Sequence, residues 1–284
     1  MIENATIRRI EGQLRELGEA AAAPGEAATL RTRVLTHVAW VPKEWEEAAR
    51  LVLDGLGERH PSRTIMLLPD PEAERDALDA EVDLRCFAYG GPNRSVCSEV
   101  IILWLRGRTA AAPASVIQPL LVSDLPAFLR WRGQLPFGAP ELEQLVDVVD
   151  RLVVNSREWG DPSATFRRLP RLFEDVVVSD IAWARTLPWR RALAGLWPSI
   201  ARAERLRVRG PQADALLLCQ WLVSRLGRHL ELDLDDAEAL ELVEIDGRPV
   251  IPDWLDDPSP SELLSDQLEI DARDPIYEET VTSF

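Results

Sequence analysis

Short apolar runs of strand length recur along this chain, and their spacing limits the folds open to it more than any other feature. Arg33 to Val41, Thr64 to Leu68, Val100 to Leu105 and Arg151 to Asn155 are such runs, and segments with helical periodicity or helix-start signals lie among them. Strands that are apolar on both faces suit a mainly parallel sheet covered by helices on either side. Ile7, Ile10, Leu14 and Leu17 form a 3.6-residue stripe and predict an opening amphipathic helix. Ala22 to Ala28, with Pro24 and Gly25, reads as a linker. Pro42 starts a helix through Leu56 that Gly57 ends, and with the flanking strands it makes a crossover unit.

Beyond residue 68, Leu78 to Tyr89 alternates in places and predicts a strand, and Gly90-Gly91-Pro92-Asn93 predicts a turn. Val96 to Leu105 is open between an antiparallel return strand and a partly helical segment. Helices are expected at Ala114 to Val122, Ala139 to Val149, Pro162 to Phe173, Asp180 to Trp197 (interrupted near Pro188) and Pro211 to Leu226. Ala127 to Arg132, Leu206 to Val208, Leu230 to Leu234 and Leu240 to Ile245 read as strands, with a turn at Asp246-Gly247 and a last helix at Ser261 to Leu268. The expected fold class is α/β in two domains. The N-terminal domain has a mainly parallel sheet flanked by helices, and a smaller C-terminal α/β domain has antiparallel strands. The expected segments are 1–28 (amphipathic helix and linker), 29–165 and 166–284 (with an acidic tail).

The net charge is −16, but residues 1–230 hold 30 acidic and 30 basic side chains, whereas residues 231–284 hold 18 acidic side chains and two arginines, Arg248 and Arg273. The excess therefore lies at the C-terminal end, where it serves solubility or docks a basic partner; it argues against nucleic acid as a ligand. No run approaches the roughly 20 apolar residues of a membrane helix, and Met1 to Ile10 lacks a signal-peptide core, so a cytoplasmic protein with no membrane partner is expected.

Catalytic patterns are missing from the sequence. There is no Gly-x-Gly-x-x-Gly after a strand, no P-loop and no Gly-x-Ser-x-Gly elbow; His37, His60 and His229 lack metal-ligand spacing, so no metal site, no cofactor and no enzyme activity are expected. His60, Ser62 and Arg63 are the most enzyme-like group. They are either an anion-binding turn, as in a sugar-phosphate-binding enzyme or sensor, or a rigid turn stiffened by Pro61. Cys86 and Cys97 flank the Gly-Gly turn and are either a redox pair or two buried apolar side chains. Trp183, Trp189 and Trp197 are interleaved with Arg185, Arg190 and Arg191, the residue types that dominate interface hot spots; core packing and an exposed partner surface are both open for them.

Several stretches, in their shared order, resemble the OpcA family over nearly the full length. They are RTRVLTHVAWV at Arg31 to Val41, HPSRTIMLL at His60 to Leu68, CSEVIIL at Cys97 to Leu103, SVIQPLLVSDLPAFL at Ser115 to Leu129, RLVVNS at Arg151 to Ser156, SDIAWARTLPWRR at Ser179 to Arg191, ALLLCQWLVSRLG at Ala215 to Gly227, and Ser261 to Tyr277. Leu129-Arg130-Trp131 departs from the aromatic residues the family carries after its Asp-Leu-Pro segment. The resemblance implies a non-catalytic assembly factor and allosteric activator that binds glucose-6-phosphate dehydrogenase in the oxidative pentose phosphate pathway. On that expectation the partner-binding residues are Asp180, Trp183, Arg185, Trp189 and Arg190.

Overall fold

The apolar runs form parallel strands, as their two-sided burial requires. The structure, a computed structural model, describes residues 1–21, 28–30, 33–88, 94–253, 258–269 and 272–284; the expected linker core and the Gly-Gly-Pro-Asn turn lie outside them. Contacts divide the chain into residues 1–153 with 260–269, and residues 154–259 with 270–284. The expected break at residue 165 thus stands later than the observed division at 153, and the second segment is interrupted.

The first unit runs through α1 (Ile7–Ala21), β1 (Ala28–Leu30), β2 (Leu35–Trp40), α2 (Glu46–Arg59), β3 (Ser62–Asp70), β4 (Ala77–Ala88), β5 (Arg94–Arg106), α3 (Pro113–Ile117), β6 (Ala127–Trp131), α4 (Pro140–Val146) and β7 (Arg151–Val154). Its sheet has the order β1-β5-β3-β2-β6-β7, every neighbouring pair parallel, with β4 antiparallel on β5. All six residues of β2 are buried, and Ile65, Met66, Leu67, Ile101, Leu103 and Leu105 are fully so.

Two expectations are corrected here, and one left open is resolved. Gly57 does not end α2. Glycine permits a helix stop without compelling one, and the helix runs to Arg59 until His60, which precedes Pro61, turns extended. Val96 to Leu105 is strand throughout, because β5 pairs both with β3 and with β4. The helix expected to Val122 stops at Ile117 and passes into a 3-10 turn at Gln118–Leu120, since Pro119 has no N–H to donate.

The second unit contains α5 (Pro162–Arg168), β8 (Val177–Asp180), α6 (Ile181–Arg185), α7 (Leu187–Gly195), β9 (Arg205–Gly210), α8 (Gln212–Leu226), β10 (Glu231–Asp236), β11 (Leu242–Ile245) and β12 (Arg248–Pro249). The small sheet is ordered β10-β9-β11-β12, with β10 parallel to β9 across α8 and the other pairs antiparallel. Asp246 and Gly247, at φ 49° and 75°, make the two-residue turn between β11 and β12. Gly227, left-handed at φ 63°, closes α8.

Two helices follow. α9 (Pro260–Leu268) belongs to the first unit, where it packs on α2: Ser261 Oγ donates to Val52 O at 3.0 Å, Arg59 Nη2 donates to Glu262 at 2.7 Å, and Leu263, Leu264 and Leu268 are buried. It is not the last helix. α10 (Pro275–Thr282), in the second unit, is capped by the Asp274 carboxylate, which accepts from the N–H groups of Ile276 and Tyr277 at 3.0 Å each. An Asp-Pro start is a strong cap, and the density of acidic residues around it hid the signal.

His37, at the centre of β2, is 1% exposed, and neither ring nitrogen has a hydrogen-bond partner. Burial first, then the charges of Arg130, Arg132 and His60, hold its pKa down to about 3 from 6.5. A depressed folded-state value gives a contribution to stability that is complete above pH 6.5 and is lost as the pH falls from there toward 3. The full loss amounts to about 5 kcal/mol at most. His37→Leu is expected to flatten the fall in melting temperature between pH 7 and pH 4.5; an unchanged pH profile by calorimetry would assign that acid sensitivity to other groups.

Candidate functional site

The segment with the densest tryptophan and arginine content begins where β8 ends at Asp180. That residue is 1% exposed and caps α6: its Oδ1 accepts from the N–H of Ala182 at 2.9 Å and of Ser156 at 3.0 Å, while Tyr277 donates its hydroxyl to Oδ2 at 3.4 Å. Burial pushes the carboxyl up to about 6, opposed by the hydrogen bonds it accepts and aided by nearby Asp214. Asp214 is itself buried and is held by Arg157, whose Nε donates at 2.7 Å. Asp180 is thus a fastening point for the 156 loop, α6 and α10 rather than a surface group.

Trp183 and Trp189 also turn inward, at 5% and 4% exposure. The indole N–H of Trp183 donates to Asp274 at 2.7 Å, and the Arg190 guanidinium lies 3.4 Å above the centre of its ring. Arg190 is further tied to Thr186 Oγ1 (3.0 Å) and Trp183 O (3.1 Å); burial first, and Arg191 after it, lower its pKa to about 10 against the pull of Asp274. Arg185 is half-buried. The exposed-surface reading of these residues is therefore corrected: a cation stacked on an indole inside a hydrogen-bonded helix pair is a packing device. Arg190 stands seven residues after Trp183, two helical turns on along the same face, and Thr186 lies between α6 and α7, which starts with Pro188 in its first turn.

The residues that do face solvent are Leu187, Arg191, Leu196, Trp197 and Arg202. Trp197 is 67% exposed, and of the nine described tryptophans it alone is exposed. Sequence spacing grouped it with Trp183 and Trp189; only the end of α7 at Gly195 separates it from them.

The His60, Ser62 and Arg63 group is not a turn, since Ser62 and Arg63 belong to β3. Arg63 is 4% exposed and uses its guanidinium on Glu99 Oε2 (2.7 Å), Glu11 Oε1 (2.8 Å) and Leu120 O (2.9 Å). His60 Nε2 lies 2.5 Å from Ser265 Oγ, and Ser62 Oγ lies 3.5 Å from Thr64 Oγ1. These side chains serve the fold, and a phosphate would have to displace Glu99 to reach Arg63.

Cys86 and Cys97 stand directly opposite each other on β4 and β5 and form a disulfide, which replaces the reading of two separate buried cysteines. Among the described residues no group of three or more His, Cys, Asp or Glu side chains could hold a metal, and no helix is long and apolar enough to cross a membrane.

Two other places lack room or charge for a ligand. In open α/β sheets ligands sit where strand order reverses, here between β2 and β6. The stacked rings of Trp40 and Trp131, 5.0 Å apart, fill that position, with Arg132 over Trp45 beside them. A cavity of about 340 Å³ in the second unit meets the uncapped start of α8 at Pro211, Gln212 and Ala213, but exposed Asp236 and Glu238 line it too and repel the anion a helix start attracts.

The acidic C-terminal excess is partly neutralised in the fold. Arg205, Arg207 and Arg209 project from one face of β9, with Glu231, Asp233 and Asp235 on β10 to one side and Glu244 and Glu241 to the other, at 3.1 to 3.9 Å.

Residues 54–171 match the family model described as the glucose-6-phosphate dehydrogenase subunit N-terminal domain. The chain is 27% identical over 186 residues to the OxPP cycle protein OpcA of Nostoc punctiforme, covering 62% of this chain and 40% of that protein. It is 27% identical over 185 residues to the OpcA of Synechococcus elongatus (61% and 41%) and 23% identical over 188 residues to that of Synechocystis (62% and 39%). The matched stretch spans about two fifths of the length of these curated relatives.

Asp180 provides a pH test of this region. Its folded-state pKa is raised from 3.8 to about 6, so the protonated form stabilises the fold, and that contribution falls away as pH rises from 4 through 6. At pH 8 the ionised group costs about 3 kcal/mol relative to the neutral acid. Asp180→Asn, which keeps the capping oxygen, is expected to raise the melting temperature at pH 8 and leave it unchanged at pH 4. Asp180→Ala strands two N–H groups and is expected to lower stability by about 2–4 kcal/mol at either pH, read by urea denaturation.

Proposed function

We propose, from its likeness to the OpcA proteins and the family model matched at residues 54–171, that the chain is a non-catalytic cytoplasmic assembly factor that binds glucose-6-phosphate dehydrogenase and promotes the enzyme's assembled, active form. The observation that carries this reading is the match of residues 54–171 to a domain described as part of that dehydrogenase's subunit. It is supported by the fate of the polar residues: the groups with enzyme-like chemistry are buried and engaged within the fold, His60 by Ser265, Ser62 by Thr64, Arg63 by Glu99 and the Leu120 carbonyl, Asp180 by the N–H groups of Ser156 and Ala182, and Asp214 by Arg157.

An activator of this kind works by preferring one state of its target. The chain must bind the active arrangement of the dehydrogenase more tightly than the inactive one, and the shift in population is bounded by that difference in affinity. A tenfold rise in activity at saturation requires a preference of about 1.4 kcal/mol or more. Tight binding without such a preference gives a complex and no activation.

Titrating the full chain into the dehydrogenase of the same organism, with NADPH formation as readout, is expected to raise the rate saturably and to produce a larger species by size-exclusion chromatography. Adding glucose 6-phosphate to the chain alone is expected to leave its melting temperature unchanged. Failure of the chain to bind the dehydrogenase would overturn the proposal.

A further inference from the structure

The end of α7 is built to present one large apolar side chain outward. Ala194 through Ser199 are all exposed, Leu196 at 38% and Trp197 at 67%. Beneath them Trp189, Leu193 and Ile200 are buried at 4%, 0% and 4%. The backbone between these two layers is fixed. Leu196, Trp197, Ile200 and Ala201 donate to the carbonyls of Leu193, Ala194, Leu196 and Pro198 at 3.1 to 3.2 Å. A bonded turn carries its indole on backbone that is already ordered, so binding has less chain entropy to remove.

The charge around this corner differs from the charge of the chain. From Ile181 to Ala203 there are four arginines and no acidic residue, in a protein of net charge −16. Arg190 is stacked on Trp183, while Arg191 and Arg202, which precede and follow Trp197 in the chain, are exposed. Tryptophan and arginine are the residue types that interface centres favour.

We infer that the corner formed by Leu196, Trp197 and Arg202 is the surface through which the chain engages the dehydrogenase, and that it fits an acidic patch enclosing an apolar pocket of indole size. This rests on the function proposed above and moves the contact from Trp183, Trp189 and Arg190, which hold the corner up, to the residues that they support. The arginines steer the approach to an acidic surface, and the indole supplies the desolvated area that keeps the complex together.

The test uses the full chain, the dehydrogenase of the same organism and three variants: Trp197→Ala, Arg202→Glu and, as a control in the first unit, Leu51→Ala, which alters a residue 68% exposed on α2. All three sites are surface positions, so melting temperatures are expected to stay within about 2 °C of the parent. Trp197→Ala is expected to weaken the complex at least about 30-fold. Arg202→Glu is expected to slow association about tenfold at low salt, an effect that shrinks at high salt, and Leu51→Ala to change nothing. If the parent binds and Trp197→Ala binds equally well, the corner is not the contact although the proposed function stands. If the parent itself does not bind, both fall. Concentration-dependent dimerisation that Trp197→Ala abolishes, with dehydrogenase binding intact, would assign the corner to a second copy of the chain and overturn the inference.

Discussion

The Arg63 guanidinium holds the first unit together at the point where its layers meet. It sits on β3 in register with Glu99 on β5, and it also reaches Glu11 on α1 and the carbonyl of Leu120. Burial alone would raise the Glu99 carboxyl, but the hydrogen bond from Arg33 and the charge of Arg63 keep it below its ordinary value, so the pair stays ionised inside the sheet. A buried ion pair of this kind adds little net stability over an apolar pair, yet losing one partner strands the other at a cost of about 3–5 kcal/mol. A slip of β3 against β5 would strand both charges, so the pair favours the register that brings Arg63 opposite Glu99.

Much of this architecture was legible because burial on both faces leaves an unmistakable trace. β3 and β7 carry uninterrupted apolar runs, Ile65 to Leu68 and Leu152 to Val154, β2 and β6 are largely apolar, and their order with the intervening helices points to a parallel sheet. The small sheet could be read too, since the alternation in Arg205 to Gly210 and the Asp-Gly turn are local signals. What escaped depends on distant partners. Nothing near Pro260 says that α9 returns to α2, because its contacts lie some 200 residues away in sequence. The candidate site was legible in composition and not in direction. Trp183, Trp189 and Arg190 are the residue types of an interface, but the two indoles are buried and Arg190 is stacked on Trp183, and composition does not say which face of a helix its neighbours cover.

Two features of the candidate site have a common cause. Cationic side chains that would be free to meet an anion are instead engaged by the protein's own groups: Arg63 by Glu99, Arg157 by Asp214, Arg190 by the Trp183 ring and Thr186, and the β9 arginines by a double row of carboxylates. These arginines are therefore committed to the fold, whereas Trp197 and Arg202 face outward.

The placement of α9 also governs how the molecule can be dissected. Because residues 260–269 belong with residues 1–153 while their flanking segments belong with the second unit, no single cut separates the two. A fragment ending at 153 would keep the β-strands of the first unit but bare the α2 surface that Leu263, Leu264 and Leu268 cover, and it would leave Arg59 and His60 without Glu262 and Ser265. A fragment starting at 154 would carry α9 with nothing to dock on. The interleaving makes the full chain the smallest piece in which every helix has its native support.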